Sequence, residues 1–548
     1  PYDQTVFPLD VLPPLLQWSE GANGAPIEAV YIHLRAPPFY DYKGTFGRPV
    51  ALAAAAKFVR HPIPKDVWAA ATRTAAGSTL DLEVSVLAGG KAFGPLHQTY
   101  KIALAPINGK IYYQAYNTAL AQNFDGKTVS GAPMGGATLS ISVGEESPRL
   151  VAGKNSTDHS GCRVCHSVSA YGDLMVVQHG DGYGTSSTYD LKNGNTETPQ
   201  KAPLAWAGLY PDGTMGLSNN VEVASTGESG GTATLYDMKT GAVIPSTGLA
   251  NFANTIGLPS FSPDGTHAAF VLFQGPSTPA IGAPNGRQLV TMDFDVGSST
   301  FSNPRKLWEP TVDTERPGWS TFLPSSQAVV FQRRFKGSTN EIFASRYGAR
   351  GELWWVDLAS GTATALGQTN GVDADGKSYL PPLPDNHDQD ERLSYEPSIS
   401  PVASGGYAWM VFLSRRAYGN VATMDPWHSD PRDYDLTAGV TTKKIWMAAI
   451  DLNPEPGKDP SHPAFYIPGQ ELHGVNSRPF FALQPCLSDR GTCTTGIDCC
   501  SGFCRDGLCR PPIDNECAKI DEKCSHSSDC CDATAQCLGG YCAVRGPR

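Results

Sequence analysis

The sequence lacks any run of apolar residues long enough to cross a membrane, which takes roughly 18 residues for a helix. It also lacks an excess of positive charge: 42 Lys and Arg stand against 53 Asp and Glu, for a net charge of −11. Because nucleic acids attract basic surfaces, this balance argues against nucleic acid as the main partner. The first residues, PYDQTVFPLD, show neither a signal peptide nor an initiating Met, so we expect a processed, mature chain without a transmembrane segment.

Several catalytic signatures are also missing. The motifs GxSxG, HExxH, GxGxxG and the P-loop do not occur in a suitable context, which leaves no signature of the enzyme classes that use them. Charged residues make up only 17% of the chain, while the 57 Gly and 44 Pro indicate many turns. This composition is typical of an all-β globular protein.

Cysteine is nearly absent from the first 485 residues, where only Cys162 and Cys165 occur, but twelve more follow in two runs of six. The runs are Cys486, Cys493, Cys499, Cys500, Cys504 and Cys509, then Cys517, Cys524, Cys530, Cys531, Cys537 and Cys542. Each run spans too few residues to build a hydrophobic core, so the sulfurs must stabilise it. Zinc is the alternative to disulfides, but His526 is the only histidine of this region. Disulfides indicate a secreted or cell-surface protein, with the periplasm also possible.

The spacing of the two runs is repeated, with 6, 5, 0, 3 and 4 intervening residues in the first and 6, 5, 0, 5 and 4 in the second. Spacing alone leaves the connectivity open. The region resembles tandem knottin modules, at 483–512 and 513–548. That resemblance implies the pairs Cys486–Cys500, Cys493–Cys504, Cys499–Cys509, Cys517–Cys531, Cys524–Cys537 and Cys530–Cys542.

Residues 1–150 alternate apolar and polar side chains in short runs such as STLDLEVSVLA and GKIYYQAYN, which predicts antiparallel strands. The region resembles an immunoglobulin or fibronectin-type β-sandwich. In such a fold Trp18 and Trp68 are core residues rather than site residues.

Residues 151–482 repeat a pattern of strand, turn and apolar strand, as in PSFSPDGTHAAFV and STFLPSSQAVVFQ. A third strand often ends in Asp before a Gly turn, as in TLYDMKTG and LWWVDLASG. Pro and Asp-Gly at these turns have the backbone preferences that tight turns need. The repeat resembles the blade of TolB-like and WD40-like β-propellers. Five blades are legible, and a sixth lies within 365–445 or is completed by the N-terminal region.

The motif Cys162-Arg-Val-Cys165-His166 aligns just before the innermost strand of the first predicted blade, at the mouth of the central channel. This string matches a haem c attachment site, in which two thiols bond the haem vinyl groups and the histidine ligates iron. A thioredoxin-like dithiol is less compatible, because such a motif opens a helix in an α/β fold. A disulfide between the two cysteines and a site for another metal are the remaining alternatives, but the disulfide would leave His166 without a purpose.

A second iron ligand is harder to identify. Pairing the two strands through the intervening turn predicts His179 opposite Val164, so His179 is the candidate, while Met175 is expected to pack between blades. His159, His387 and His428 are alternatives, as is an open iron position. Other side chains predicted to face the haem are Trp206, Trp319, Glu396 and Arg316, the last as a partner for a propionate.

Two acidic loops, at 384–391 and 428–435, are candidate Ca²⁺ sites, with solvated surface loops as the alternative, whereas DADG at 373–376 lacks the rest of a calcium loop. The whole arrangement resembles large exported bacterial proteins with a β-sandwich leader, a propeller bearing one CxxCH and a cysteine-rich tail. It implies a secreted or cell-surface protein with one covalent haem c and fixes no activity; the first hypothesis is extracytoplasmic electron transfer. Its partner is a redox protein or neighbouring subunits of a homo-oligomer or homopolymer. The alternatives are a surface adhesion or binding propeller with a structural haem, and a peroxidase-like haem enzyme with open iron.

Overall fold

The protein is described here from a computed structural model that covers most of the chain. The described residues are 1–19, 26–47, 58–116, 118–127, 133–158, 160–180, 184–204, 206–219, 232–274, 286–312, 314–335, 350–380, 390–416, 443–471, 474–487, 489–512, 516–538 and 540–544. Strands dominate throughout, so the predicted all-β class is confirmed. Within these ranges no helix is long and apolar enough to span a membrane.

The described residues of the N-terminal domain form seven strands in two sheets and one helix. Its elements are β1 (Val6–Leu9), β2 (Leu15–Ser19), β3 (Ile27–Ala36), β4 (Tyr40–Gly47), β5 (Phe58–Pro62), α1 (Lys65–Thr74), β6 (Thr79–Ala88) and β7 (Lys91–Pro106). The larger sheet has the order β1-β7-β6-β3-β4, with β1 parallel to β7 and the other pairs antiparallel. Strands β2 and β5 form the second sheet.

Helix α1 was not predicted, because the sequence analysis followed only the strand pattern in this region. Its alanines favour a helix, and Asp66 in the first turn and Arg73 in the last turn complement the helix dipole. The helix buries Trp68, whose ring meets that of Phe7 edge to face at 5.2 Å between centroids. Trp68 is therefore a core residue, as predicted, while the side chain of Trp18 lies outside the described part of the structure.

Six four-stranded sheets follow within the described ranges, and five of them are continuous in sequence. The first two blades are β13 (Arg163–Val168), β14 (Leu174–His179), β15 (Ser186–Asp190) and β16 (Thr196–Gln200), then β17 (Gly208–Leu209), β18 (Met215–Ser218), β19 (Thr234–Asp237) and β20 (Val243–Ile244). Before them come β8 (Lys110–Tyr116), β9 (Phe124–Lys127), β10 (Pro133–Met134), β11 (Gly136–Ile141) and β12 (Arg149–Ala152).

The third to fifth blades repeat the same antiparallel order. After the short helix α2 (Leu249–Phe252), the third blade consists of β21 (Thr255–Phe261), β22 (His267–Gln274), β23 (Gln288–Asp295) and β24 (Thr300–Trp308). The fourth consists of β25 (Arg316–Phe322), β26 (Ala328–Arg334), β27 (Gly351–Asp357) and β28 (Ala363–Ala365), followed by α3 (Gly367–Asn370) and a 3₁₀ turn at Asp390–Arg392. The fifth consists of β29 (Ser394–Ile399), β30 (Tyr407–Ser414), β31 (Lys444–Asp451) and β32 (Phe465–Tyr466).

The sixth blade closes the ring with strands from both ends of the region. Its innermost strand is β33 (Val475–Ala482), which pairs with β8, and β8 pairs in turn with β11 and β12. The innermost strands of the six blades contact one another in sequence order, and β33 contacts β13. The prediction that the N-terminal region completes a blade therefore matches this topology. The predicted boundary at 150 has to move to about 108, because β8, β11 and β12 belong to the propeller.

Each innermost strand carries the same distortion. The residues with a left-handed backbone there are Cys165, Trp206, Leu258, Trp319, Glu396 and Arg478, with φ between 41° and 53°. In five of the six sheets the pairing register shifts at this point, so the residue forms a β-bulge. A bulge redirects the side chain out of the ordinary alternation of the strand. The six bulge residues thus occupy equivalent places around the propeller axis.

The C-terminal cysteines form the six disulfides that the knottin resemblance implies. Short 3₁₀ turns at Gly496–Asp498 and Ser527–Asp529 and the strands β34 (Cys504–Arg505), β35 (Leu508–Cys509), β36 (Gln536–Leu538) and β37 (Tyr541–Ala543) complete the two modules. Ile497 and Tyr541 pack against Val402 and Leu483 of the propeller. The modules are therefore docked on the face where the first and second strands of each blade are joined.

Candidate functional site

The CxxCH motif lies at the start of the innermost strand of the first blade. Cys162 immediately precedes β13, and Cys165 is the bulge residue of that strand. Cys162 and His166 have no exposed surface, and Cys165 is 3% exposed. The motif thus lies inside the propeller, at the end of the axis where the innermost strand β13 begins.

The two cysteines belong to an apolar group that we call the axial cluster, because its members come from several blades and meet at the propeller axis. Its members are Cys162, Val164, Cys165, Trp206, Leu258, Val271 and Trp319. The indole rings of Trp206 and Trp319 meet edge to face, with 5.5 Å between their centroids. The predicted proximity of both tryptophans to the motif therefore agrees with this packing, and their indoles occupy the axis beside the sulfurs.

His166 is fully buried, and neither of its ring nitrogens makes a hydrogen bond of good geometry to a described residue, although the backbone of Tyr112 is close enough to influence it. Burial lowers the pKa of His166 to about 3, helped by the positive charge of Arg478 and opposed by the backbone of Tyr112. The imidazole is therefore neutral at physiological pH. A neutral imidazole, which has a lone pair on one ring nitrogen, is the form that ligates metal ions.

Arg478 is the site residue that the sequence analysis missed. It is the bulge residue of β33, and its guanidinium carbon lies 4.3 Å from the ring centroid of Trp319. Its Nε and Nη1 atoms are buried with no hydrogen-bond acceptor in the described ranges. The sequence alone could have identified Arg478 as a site residue, because Arg478-Pro479 in SRPFFA aligns with Glu396-Pro397 in YEPSIS.

Glu396 is the neighbouring bulge residue and supplies the negative charge of the site. Its Oε2 accepts a hydrogen bond from the backbone amide of Arg478 at 2.5 Å, and its Oε1 lies 3.4 Å from Lys443 Nζ. Burial lowers the pKa of Arg478 to about 10, and the charge of Glu396 opposes this shift. Glu396 thus lies at the axis as predicted, in contact with the cations of this site.

Buried glutamines satisfy the amides of two bulge residues. Gln114, on the second strand of the sixth blade, accepts a hydrogen bond from the backbone amide of Cys165 at 2.6 Å. Gln332, on the second strand of the fourth blade, accepts a hydrogen bond from the backbone amide of Glu396 at 3.0 Å. In each case a glutamine from the preceding blade fixes the bulge of the next one.

The predicted register of His179 is wrong by one residue. The bulge at Cys165 and His166 shifts the pairing, so His179 lies opposite Arg163, and Val164 lies opposite Gln178. Since neighbouring residues of a strand point to opposite faces, this shift moves His179 to the other side of the sheet from Val164. There His179 Nε2 is 2.7 Å from Ser187 Oγ and 3.7 Å from Glu197 Oε1. His179 is therefore withdrawn as a second iron ligand.

Other predicted residues have different outcomes. Met175 packs between the first and sixth blades, as expected. Arg316 donates to the backbone oxygen of Glu315 at 2.8 Å. Asp373 in the 373–376 loop accepts backbone amides in an ordinary turn. The positions that lie outside the described residues are His159, His387, His428, the loop 428–435 and most of the loop 384–391.

Two features of the motif fit a covalently attached haem. Two buried sulfurs and an adjacent neutral imidazole with unsatisfied nitrogens are the donor set that haem c needs. In addition, the flanking side chains are aromatic and apolar, as a tetrapyrrole requires. Because Trp206 and Trp319 fill the axis, haem binding here would replace part of their mutual packing.

Comparison with known proteins identifies no family. No protein-family model and no curated protein matches the chain. Solved structures with weak similarity include hydrazine synthase from Kuenenia stuttgartiensis, at 11% identity and a TM-score of 0.30, covering 64% of this chain and 98% of that one. An auxiliary nutrient binding protein from Bacteroides thetaiotaomicron is 12% identical with a TM-score of 0.29, over 68% and 87% of the two chains. A putative 6-phosphogluconolactonase from Bacteroides fragilis is 11% identical with a TM-score of 0.33, over 73% and 92%. Likenesses at this level carry no argument about function.

Proposed function

We propose that this protein is a secreted or cell-surface monohaem c-type protein that transfers electrons outside the cytoplasm. The observation that carries the proposal is His166, a fully buried histidine whose two ring nitrogens make no hydrogen bond of good geometry to a described residue. An unsatisfied buried polar group is costly, so a ligand that occupies it contributes to stability. Two buried sulfurs in the same motif make iron porphyrin the ligand that fits best.

Each residue of the motif has a separate role in this proposal. Cys162 and Cys165 would hold the tetrapyrrole through thioether bonds, and His166 would ligate its iron. The bound haem would supply reversible one-electron chemistry. Trp206, Leu258 and Trp319 exclude water from this region, and a low local dielectric affects the reduction potential of a buried redox group.

The six disulfides support the proposed location. Disulfides persist in oxidising compartments, which agrees with secretion or display at the cell surface. A single motif provides one haem, so electrons must leave the chain to a partner. That partner is a soluble redox protein or, in a homopolymer, the next copy of this chain.

Intact mass spectrometry of the protein secreted by a host with haem c maturation tests the proposal. We expect the mass of the chain plus one haem, minus twelve hydrogens for six disulfides. Reduction with dithionite should then produce a sharp α band, and carbon monoxide should leave it unchanged if the iron has two strong ligands. A carbon monoxide shift would favour a peroxidase-like enzyme. Absence of a Soret band would overturn the haem proposal and leave a surface binding propeller.

A further inference from the structure

A funnel opens at the propeller axis on the face where the first and second strands of each blade are joined. Its rim is formed by turn residues of four blades, namely Ala170, Pro211, Pro263 and Pro401. It encloses about 620 Å³ of empty space, including its open mouth. Arg478 lines the funnel as well as stacking on Trp319, so its guanidinium links the funnel to the axial cluster.

The walls of the funnel are mostly apolar, with a few hydroxyl groups. Leu209, Phe261 and Phe322 provide apolar surface, while Ser260, Ser320 and Thr321 provide the hydroxyls. Arg478 is the one cation among the residues that line the funnel. A surface of this kind matches a ligand with a short apolar body and one charged end.

Arg478 places a buried positive charge at the funnel. Glu396, which contacts Arg478, also lies 3.4 Å from Lys443 Nζ. The Glu396 contact to Arg478 is made with the backbone amide, and the guanidinium Nε and Nη1 have no acceptor in the described part of the chain. Arg478 is only 7% exposed, so bulk water does not compensate for this deficit. A buried cation with unsatisfied donors is costly unless an anion pairs with it.

We propose that the funnel binds a small organic acid, a short-chain monocarboxylate whose carboxylate pairs with the guanidinium of Arg478. The apolar chain of the acid would lie along Leu209, Phe261 and Phe322 toward the mouth. The carboxylate would pair with the guanidinium from the funnel side and neutralise its charge. None of the three residues Cys162, Cys165 and His166 lines the funnel, and the stacking of Arg478 on Trp319 connects the funnel to the axial cluster.

Isothermal titration calorimetry of the full chain with acetate, butyrate and hexanoate tests this site. We expect saturable binding that tightens with chain length, no binding of the neutral amide butyramide, and weaker binding of inorganic phosphate. The substitution Arg478→Gln should weaken hexanoate binding on the order of 10- to 100-fold, as expected when a charged hydrogen-bonded partner is lost. A matched control is Arg305→Gln, which removes the same charge from the outer strand of the third blade and should leave the affinity unchanged.

A second variant keeps the test decisive if Arg478→Gln fails to fold. Ala170→Trp adds bulk at the rim without touching the guanidinium, so it should slow or block hexanoate entry in a protein with native stability. The proposal is overturned if the wild-type chain binds none of the acids, or if both funnel variants bind hexanoate as tightly as the wild type. Phosphate binding tighter than hexanoate binding would overturn the organic-acid assignment. Haem content, measured on the same samples, reports separately on the proposed redox function.

Discussion

The guanidinium of Arg478 lies over the indole of Trp319, 4.3 Å from the ring centroid, although the two residues belong to the sixth and fourth blades. Such a contact across the axis is possible because both are bulge residues that project from the innermost strands. The same six positions supply a sulfur, two indoles, an aliphatic side chain, a carboxylate and a guanidinium. The propeller therefore concentrates its chemically distinct side chains at one structural position, repeated in each blade.

The two histidines of the first blade should behave differently when substituted. His166→Gln removes the buried imidazole and should broaden and shift the α band of the reduced protein, because the proposed iron ligand is lost. His179→Gln should leave the band unchanged, since His179 Nε2 is engaged with Ser187 Oγ. Absorption spectra of the dithionite-reduced variants measure both effects. An unchanged spectrum for His166→Gln, or a shift for His179→Gln alone, would contradict the assignment.

The two cysteines should contribute separately to haem retention. In the double variant Cys162→Ser with Cys165→Ser, acidified acetone should extract all haem, whereas the single variants should keep one thioether bond. Met175→Leu is the matched control, because it removes a buried sulfur that packs between the first and sixth blades. Peptide mass spectrometry after extraction identifies which cysteine remains modified. Covalent haem in the double variant would show that another residue attaches it.

The two glutamines that accept hydrogen bonds from the backbone amides of bulge residues should stabilise the fold. Gln114→Leu leaves the buried Cys165 amide unsatisfied, and Gln332→Leu does the same for the Glu396 amide. Each should lower the free energy of unfolding by about 1–3 kcal/mol. The exposed Gln122→Leu is the control. Calorimetry of the propeller transition should show lower melting temperatures for the first two variants only. Equal melting temperatures for all three would mean that water replaces the glutamines.

Repeated turn chemistry made the propeller predictable. The Ser-Pro-Asp-Gly turns and the strands ending in Asp occur locally in the sequence, so five blades and the position of Cys162, Cys165 and His166 followed from short segments. The sixth blade was harder to assign, because its innermost strand lies more than 300 residues after the strand β8 with which it pairs. Such pairing depends on ring closure, which no local pattern encodes.

The β-bulges explain the main error and the main omission at the site. Counting residues through an undistorted hairpin placed His179 opposite Val164, whereas the extra residue at Cys165 and His166 moves it to Arg163. The same distortion directs Arg478 to the axis. An alignment of the six segments that precede the innermost strands would have found Arg478. The helix α1 was missed for another reason, because its alanines had been expected in a strand-rich region.

Asp521 in the second knottin module should make the stability of the C-terminal region depend on pH. Its side chain is 7% exposed, and burial together with the charge of Asp498 raises its pKa to about 6. The folded pKa is above the unfolded value of about 3.9, so the folded state holds the proton more tightly. The stability of the folded state therefore falls as the pH rises from about 4 to about 6 and Asp521 ionises. The loss of stability is complete above that range.

Asp521→Asn should remove this contribution. Asn also tolerates the left-handed backbone of this position, where φ is 63°. The variant should be more stable than the wild type by about 2–3 kcal/mol near pH 7.5, and equally stable near pH 4. The charge-matched control is Asp506→Asn, which has a similar φ of 53° but lies on the surface of the first module, and it should show no such difference. Differential scanning calorimetry at the two pH values measures the effect. If Asp521→Asn raised the stability equally at both pH values, Asp521 would be ionised at pH 4 as well as at pH 7.5.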